Sequence, residues 1–331
     1  MALVSILIPC YNAERWLAQA IESALAQSWD EVEIIVVDDG SSDRSLEIAQ
    51  GFAPDITVIA AKHAGGNAAR NQLLRAANGD WLQYLDADDY LRPDKIRDQM
   101  LAIQADDRVD VLFSPVTEER WVGDKPATLL RMEIPEAHDP WVLLARWYLP
   151  QTGAPLWRRS ALNAVGGWRE AQSCCQEHEL YFRLLRQRKR FRYCDSDGAV
   201  YRLWSDNTVS RRDQHAVNLE RLHIYADMQA HLLSTNALTA ERQGAINQAR
   251  FEVARQLWTS DRVTALGTMA TVRASQPRFT PRGAAGPLHY RIIYKLFGFA
   301  FAEALAALLR RGKQDAGATA PRSTRQRRSH C

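Results

Sequence analysis

The sequence predicts an α/β fold in which an open, mostly parallel sheet is flanked by helices and followed by a C-terminal helical extension. Three observations support this prediction. Short apolar runs alternate with helical patterns over roughly the first hundred residues, and polar clusters directly follow three of these runs. From Ala216 to Gln256 the chain is helical in character, with Gly244 as its only Gly or Pro.

The first strand and helix carry clear signals. Val4–Ile8 is a short apolar run closed by Pro9, which is typical of a buried strand in a parallel sheet. A helix follows, and we predict Asn12 as its N-cap. The apolar positions of this helix fall on one face: Trp16, Leu17, Ala20, Ile21, Ala24 and Leu25.

The same alternation continues along the chain. Helices are predicted at Asp43–Gln50 and Asn67–Ala77, the second preceded by Gly65-Gly66. Further strands are predicted at Glu33–Val37, Ile56–Ala60, Trp81–Leu85 and Val109–Ser114. Strands and helices that alternate at this spacing indicate a parallel α/β sheet.

The composition is that of an ordinary soluble globular protein, with 46% hydrophobic and 24% charged residues. The net charge of +3 conceals a basic C-terminus, because residues 311–331 contain six Lys or Arg and one acid, Asp315. We expect this tail to be disordered and expect no nucleic-acid partner. The N-terminus lacks the features of a signal peptide, and the five cysteines lack metal or redox spacing. The cytoplasm is therefore the predicted location.

Polar clusters follow the first, second and fourth predicted strands. They are Pro9-Cys10-Tyr11-Asn12, Asp38-Asp39-Gly40-Ser41 and Asp86-Ala87-Asp88-Asp89. Open α/β sheets bind ligands at the carboxyl ends of their strands, so these clusters are expected to meet there. The alternative for the last cluster is a cap of the following helix.

These residue types suit a nucleotide diphosphate. Clustered carboxylates such as Asp86 and Asp88 repel one another, and a bound Mg²⁺ or Mn²⁺ relieves that repulsion. Tyr11 offers a ring on which a base can stack, and one carboxylate of Asp38-Asp39 can accept a hydrogen bond from a pyrimidine N–H. Arg70, in the first turn of a helix opened by glycines, adds a donor for anions.

The four segments Val4–Asn12, Val36–Ser42, Gly65–Asn71 and Leu85–Tyr90 together resemble, in order and spacing, the family 2 glycosyltransferases of the Rossmann-like GT-A fold. The resemblance covers residues 3–115 and continues more weakly to about residue 210. It implies a metal-dependent enzyme that transfers a sugar from a nucleotide diphosphate sugar to an acceptor hydroxyl with inversion.

The resemblance also implies roles for single residues. Tyr11 and Asp39 contact the base, Asp86 lies near the ribose, and Asp88 ligates the Mn²⁺ or Mg²⁺ that bridges the diphosphate. The implied nucleotide-sugar site consists of Pro9, Tyr11, Asp39, Arg70, Asp86 and Asp88. UDP-sugars are the expected donors, and a glycan or lipid-linked glycan of cell-surface polysaccharide synthesis is the expected acceptor.

The catalytic base is expected in the second half of the chain. Gly166–Glu170 followed by Gln176–Leu180 resembles the glycine-rich turn and the Glu-Asp-x-x-Leu helix start of the family, with Gln176 in place of the Glu. Glu177 takes the place of the Asp and is the first candidate for the base. His178 is the second candidate, because an imidazole accepts protons near neutral pH, and Glu179 is the third. A purely structural helix start is the alternative.

Two further segments bear on the mechanism. The loop Tyr201–Ser210 resembles the one that often covers the donor, but Trp204 stands where relatives frequently have His. Gln187–Phe191 has a superficial likeness to the QxxRW signature of processive synthases, but it lies close to Glu177 and the expected spanning helices are missing. The sequence therefore predicts non-processive transfer.

The domain organisation follows from these patterns. We predict a nucleotide-sugar-binding half at 1–115, an acceptor-binding half at 116–215, a helical region at 216–311 and the basic tail at 312–331. The apolar stretch Ile292–Leu309 is interrupted by Lys295 and Glu303, so packing against protein is favoured over contact with a membrane surface through 289–331. The oligomeric state stays open.

Two other functions remain as alternatives. The substitutions at Gln176 and Trp204 are compatible with a non-catalytic nucleotide- or carbohydrate-binding protein on a degenerate glycosyltransferase scaffold. A nucleotidyltransferase would normally carry a glycine-rich basic loop after the first strand, where this chain has Pro9–Asn12.

Overall fold

The computed structural model describes residues 1–106, 108–135, 139–196, 198–204 and 213–318, with side chains up to residue 309. The chain divides into two compact units, Met1–Ile246 and Asn247–Cys331. The division by compactness does not test the functional boundaries predicted at 115, 215 and 311, which stay predictions.

The first unit is built on a seven-stranded sheet in the order β10-β6-β9-β4-β1-β2-β3. Strand pairs β1–β2, β1–β4, β2–β3 and β6–β10 are parallel, whereas β9 is antiparallel to both of its neighbours. The strands of this sheet are β1 Val4–Cys10, β2 Val32–Asp38, β3 Thr57–Ala60, β4 Trp81–Tyr84, β6 Val111–Phe113, β9 Leu156–Arg158 and β10 Phe191–Tyr193.

A four-stranded sheet in the order β5-β11-β7-β8 completes the strands of the described chain. Its members are β5 Tyr90–Leu91, β7 Val116–Val122, β8 Lys125–Met132 and β11 Ala199–Leu203. Because β5 directly follows Asp86–Asp89 and pairs with β11, this sheet brings the chain around residue 202 next to those carboxylates.

The described helices flank the main sheet and continue to the C-terminus. In the first unit they are α1 Leu17–Leu25, α2 Ser45–Gln50, α3 Gly66–Ala76, α4 Lys95–Gln104, α5 Pro140–Ala145, α6 Arg159–Ala164, α7 Gln176–Arg186 and α8 Gln214–Ser234. The remaining helices are α9 Ala240–Leu257, in which the boundary between the units falls, α10 Arg262–Ser275 and α11 Leu288–Ala318.

The core of the first unit lies on both faces of β1, because this strand is central in the sheet. Ile6 and Ile8 pack with Leu17 and Ile21 of α1 in a buried cluster on one face. Leu7, which the alternation of a strand places on the opposite face, is also fully buried. This agrees with the predicted α/β architecture, since strands covered on both faces read as continuous apolar runs.

Several local expectations are corrected. Pro9 does not end the first strand, which runs to Cys10 with Pro9 in register with Val37. Asn12 does not cap α1, because this helix begins at Leu17 and the Asn12 side chain bonds to another loop. The last helix extends to Ala318, into the segment predicted as a disordered tail, and residues 319–331 lie outside the described chain.

The second unit is helical and has an aromatic core. The ring of Phe251 on α9 lies 5.8 Å from those of Phe279 and Tyr290 and 6.2 Å from that of Phe299. α11 is kinked at Gly298, whose φ of 79° is not helical. By length and a mean hydropathy of 1.8, its part Leu288–Leu309 would suffice to cross a membrane, although the sequence has no uninterrupted apolar run of that length.

Candidate active site

The loops after β1 and β2 are tied together at the carboxyl edge of the sheet. The backbone N–H of Asn12 donates to Ser41 Oγ over 2.9 Å, and the N–H of Ser42 donates to Asn12 Oδ1 over 2.8 Å. Ser45 Oγ accepts a further bond from the N–H of Ala13. Asn12 adopts a φ of 50°, which turns the chain out of β1. Two of the predicted polar clusters therefore lie side by side.

Asp39 fastens the next loop to the same edge. Its carboxylate is 3% exposed and accepts from the N–H groups of Ala64 and Gly65 over 2.8 and 2.9 Å. His63 Nδ1 lies 3.0 Å from Asp39 Oδ2. Gly40 is required here, because its φ is 72° and a Cβ would lie 2.8 Å from the backbone nitrogen of His63. Asp39 thus organises the loop before α3.

Tyr11 and His63 form an aromatic surface above Asp39. Their ring centroids are 4.2 Å apart with an interplanar angle of 27°, and Tyr11 is 49% exposed. An exposed ring at the strand edge suits stacking with a base. Sequence analysis did not single out His63, although its position between β3 and the glycines before α3 was a signal.

Arg70 links α3 to the acidic cluster. Its guanidinium donates to Asp86 Oδ1 over 2.9 Å and to Asn67 Oδ1 over 3.2 Å, and it lies 5.0 Å from the ring of Trp168. Burial disfavours the charged form of Arg70, but the carboxylates of Asp86 and Glu177 outweigh that effect and raise its pKa above the ordinary value. Charges from both predicted halves of the site therefore act on Arg70.

The three acids of the Asp86–Asp89 cluster have different partners. Asp86 bonds to Arg70, whereas Asp88 Oδ2 accepts from Trp204 Nε1 over 3.0 Å. Asp89 is fully buried and accepts from the N–H of Arg202 over 2.8 Å. The cluster does not cap the following helix, since α4 begins at Lys95. That alternative is therefore wrong.

Arg202 stabilises the Asp86–Asp89 cluster from its buried side. Its side chain is almost fully buried and lies over the rings of Trp16 and Tyr90, at 4.2 and 5.1 Å from their centroids. It also donates to the carbonyl of Asp88 over 2.5 Å. A buried cation at this point fixes the backbone of the acidic turn. Sequence analysis gave Arg202 no role.

The electrostatics of the acidic turn are compatible with a cation. Burial and the neighbouring Asp86 raise the pKa of Asp88 above its ordinary value. Among the described residues no group of three or more His, Cys, Asp or Glu side chains is close enough to hold a metal ion alone. Mg²⁺ in phosphate sites usually takes one or two carboxylates, with phosphate and water as its other ligands. The residues present fit an ion of that kind.

The glycine-rich turn before α7 is clasped to α3. Asn71 donates to the carbonyl of Trp168 over 2.8 Å and accepts from its N–H over 2.8 Å. Asn67 donates to the carbonyls of Arg169 and Gln172. A Cβ on Gly167 would lie 2.6 Å from Asn71 Oδ1. This clasp brings the start of α7 to the helix that carries Arg70.

Glu177 lies in the first turn of α7. Thr152 Oγ1, which is fully buried, donates to Glu177 Oε1. Burial is the main cause of the raised pKa of Tyr201, and the charges of Asp89, Asp86, Asp88 and Glu177 add to it. The charges of Glu177 and of the acidic turn therefore both act on the Tyr201 hydroxyl. Thr152 was not identified from the sequence.

The side chains of the two other candidates for the catalytic base are buried against other partners. His178 is 7% exposed and stacks on Trp147 with ring centroids 3.4 Å apart. Burial, assisted by the charge of Arg221, lowers the pKa of His178 well below its ordinary value. Glu179 is buried in ion pairs with Arg169 and Arg183 at 2.9 and 2.8 Å. The structure thus favours Glu177 among the three candidates.

Solved structures of other proteins share the fold of this chain. The first 349 residues of S. aureus TarS, crystallised in complex with UDP-GlcNAc, match with a TM-score of 0.64 over 94% of this chain and 92% of that chain, at 15% identity. A second structure of the same TarS segment gives a TM-score of 0.61. These likenesses show that the chain has the GT-A type α/β fold, which confirms the predicted fold class.

Comparison with sequences then finds a matching family model. Residues 5–153 match the model of glycosyl transferase family 2. An uncharacterized glycosyltransferase of Haemophilus influenzae is 40% identical over 104 residues, which are 30% of this chain and 42% of that protein. One of Rickettsia felis is 30% identical over 192 residues, which are 56% of this chain and 31% of that protein. The chain spans less than half the length of these curated relatives.

Proposed function

We propose that this protein transfers a sugar from a nucleotide diphosphate sugar, a UDP-sugar in particular, to an acceptor hydroxyl with inversion. The match of residues 5–153 to the model of glycosyl transferase family 2 supports the transferase activity. UDP as the carrier is supported by the fold-level likeness to TarS, whose structure was determined with UDP-GlcNAc. The acceptor is proposed to be a glycan or a lipid-linked glycan in cell-surface polysaccharide synthesis, and the cytoplasm is the proposed location.

The observation that carries the proposal is that the carboxylates of Asp86 and Glu177 both act on Arg70. Asp86 is bonded to Arg70, and both carboxylates contribute to the raised pKa of this guanidinium. A donor bound along Tyr11, Asp39 and Asp86 would have its diphosphate end close to Arg70 and to Glu177. A binding protein without catalysis would need no second carboxylate there.

The proposed chemistry is a direct displacement. Glu177 takes the proton of the acceptor hydroxyl, and the oxygen of this hydroxyl forms a bond to the anomeric carbon of the donor. The bond from that carbon to the diphosphate oxygen breaks, and the nucleoside diphosphate leaves with the electron pair. Attack from the face opposite the leaving group inverts the configuration. Thr152 holds the Glu177 carboxylate in place through its hydroxyl.

Charge on the leaving diphosphate has two stabilising groups in this proposal. Arg70 supplies a fixed, buried positive charge beside Asp86. Mn²⁺ or Mg²⁺, held by Asp88 together with the diphosphate oxygens, would neutralise the charge that develops on the leaving group. The proposed nucleotide-sugar site is the set predicted from the sequence: Pro9, Tyr11, Asp39, Arg70, Asp86 and Asp88.

A donor panel tests this function. The full chain is incubated with UDP-, GDP- and dTDP-sugars, with and without Mn²⁺ or Mg²⁺, and released nucleoside diphosphate is measured in the presence and absence of candidate acceptor glycans. The proposal expects release that depends on the divalent cation and is greatest with a UDP-sugar. Tight nucleotide binding without release from any donor would instead support the non-catalytic binding protein.

A further inference from the structure

A row of exposed apolar side chains follows the outward side of α11 in the second unit. Before the kink at Gly298, Leu288, Ile292 and Leu296 are 66%, 52% and 68% exposed. Residues four positions apart lie on the same face of a helix, so these three form one line. We name the exposed apolar residues of this helix the α11 stripe: Leu288, Ile292, Leu296, Phe297, Phe301, Leu308 and Leu309.

The opposite side of α11 already packs inside the second unit. Tyr290 and Tyr294 are buried, with ring centroids 5.8 and 6.1 Å from that of Phe251. Beyond the kink, Glu303 is fully buried in an ion pair with Arg255. α11 therefore has one apolar face that packs in the core of the second unit and a second apolar face that is exposed. Contiguous exposed apolar surface of this kind marks an interaction site.

The charges around the α11 stripe are positive. Arg291 and Lys295 stand one turn apart beside Leu288 and Ile292 on the same helix. Residues 288–331 contain nine Lys or Arg and two acids, Glu303 and Asp315. Glu303 is paired with Arg255, so its charge does not face the stripe. Apolar residues flanked by Lys and Arg are the signature of helices that lie on anionic lipid.

We propose that the α11 stripe rests on the surface of an anionic membrane, with α11 lying in the plane of the interface. The apolar side chains enter the boundary between head groups and acyl chains, and Arg291 and Lys295 extend to the phosphates. The proposal concerns a docking surface, goes beyond sugar transfer and does not depend on it.

An orientation across the membrane does not fit the same residues. Leu288–Leu309 has 22 residues, enough to cross a bilayer. Crossing would place Lys295 and the Glu303–Arg255 pair in the hydrocarbon, which is costly. It would also detach Tyr290 and Tyr294 from Phe251. Lying flat on the surface keeps that packed face intact.

Vesicle co-sedimentation of the full chain tests the proposal. Vesicles of phosphatidylcholine alone are compared with vesicles that also contain phosphatidylglycerol. We expect binding to the anionic vesicles and a loss of at least about tenfold when Leu296→Asp and Phe297→Asp are combined, since burying each of these side chains contributes strongly to partitioning. The double change Arg291→Gln and Lys295→Gln should weaken binding to the anionic vesicles about tenfold or more.

Leu233→Asp is the matched control, because this leucine is 60% exposed on α8, outside the stripe, and the variant should bind vesicles like the parent. Circular dichroism confirms that the variants fold. Absence of vesicle binding by the parent, or unchanged binding of the stripe variant, overturns the proposal. So does a homodimer, seen by sedimentation, that the stripe variant dissociates while vesicle binding is absent. Release of nucleoside diphosphate in solution, measured in parallel, separates failure of this surface from failure of the transferase function.

Discussion

Trp204 donates its indole N–H to Asp88 Oδ2 over 3.0 Å, and this bond occupies an oxygen of the proposed metal ligand. The resemblance of this loop to family 2 glycosyltransferases implies a histidine where this chain has Trp204. An indole N–H is a donor and cannot ligate a cation, whereas a histidine can. In this chain the interaction restrains Asp88 from the side of the four-stranded sheet.

The first prediction follows from this bond. Trp204→Phe keeps an aromatic ring beside Trp16 but removes the donor, so Asp88 Oδ2 becomes free for a cation. The affinity for Mn²⁺ in the presence of UDP should rise about fivefold, which corresponds to about 1 kcal/mol for one hydrogen bond. Calorimetric titration with Mn²⁺ measures it.

Trp121→Phe serves as the control for that experiment. Trp121 donates its indole N–H to Glu119 over 2.6 Å and does not bond to Asp88. The control should bind Mn²⁺ like the parent. If Trp204→Phe also leaves the affinity unchanged, the Trp204–Asp88 bond does not compete with the metal.

The second prediction concerns the aromatic surface formed by Tyr11 and His63. His63→Ala removes the ring that stacks on Tyr11, so the aromatic surface proposed to bind the nucleotide base is weakened. UDP affinity should fall about two- to tenfold, the amount that an aromatic pair contributes. His63→Phe retains the stacking and should lose less. UDP affinity is measured by calorimetry. Equal affinity for the alanine variant and the parent would show that the nucleotide base does not stack on this aromatic surface.

The third prediction tests the clasp between α3 and the turn before α7. Gly167→Ala would place a Cβ 2.6 Å from Asn71 Oδ1 at a φ of 68°. Gly123→Ala is the matched control, since its φ of 63° is similar and nothing lies within 4 Å of the added Cβ. The free energy of unfolding should fall by about 1–3 kcal/mol more for Gly167→Ala than for the control. Similar losses in denaturant titrations of both variants would mean that the clasp tolerates the extra carbon.

The fourth prediction is a pH dependence of stability that originates at His178. Burial holds the pKa of His178 well below its ordinary value, so below about pH 6.5 the unfolded chain binds a proton that the folded chain does not. The free energy of unfolding should therefore fall as the pH drops below this value, by up to about 1.4 kcal/mol per pH unit from this group.

His178→Phe should flatten that fall, since phenylalanine can stack on Trp147 without titrating. His289→Phe, at an exposed position, should leave the slope as in the parent. Denaturant titrations from pH 5 to pH 7 make the comparison. A slope that His178→Phe does not change would show that other groups cause the acid sensitivity.

The sequence was sufficient for the parallel part of the fold. β1 to β4 alternate with helices along the chain, and such local patterns specify both element type and order. The antiparallel insertion of β9 between β4 and β6 was not predictable, because it depends on pairing between residues far apart in sequence, such as Leu82 with Trp157. The β5-β11-β7-β8 sheet could not be predicted from the sequence for the same reason.

The candidate site was likewise predictable only where it depends on local sequence patterns. Asp86, Asp88 and Tyr11 could be placed at the sheet edge because each directly follows a predicted strand. Their partners could not, since the contacts of Asp88 with Trp204 and of Glu177 with Thr152 join residues distant in sequence. The sequence already ranked Glu177 ahead of His178 and Glu179, and the structure adds that the latter two are buried against aromatic rings and arginines.

Glu177 is proposed as the base that deprotonates the acceptor. Glu177→Gln keeps the shape of the side chain and its hydrogen bond from Thr152 but cannot take a proton. Transfer from the UDP-sugar should fall by about 10²–10⁴-fold, the usual contribution of a general base, while UDP affinity stays within about twofold of the parent. His178→Gln, once shown to fold, should retain transfer. Normal turnover by Glu177→Gln would show that Glu177 is not the base.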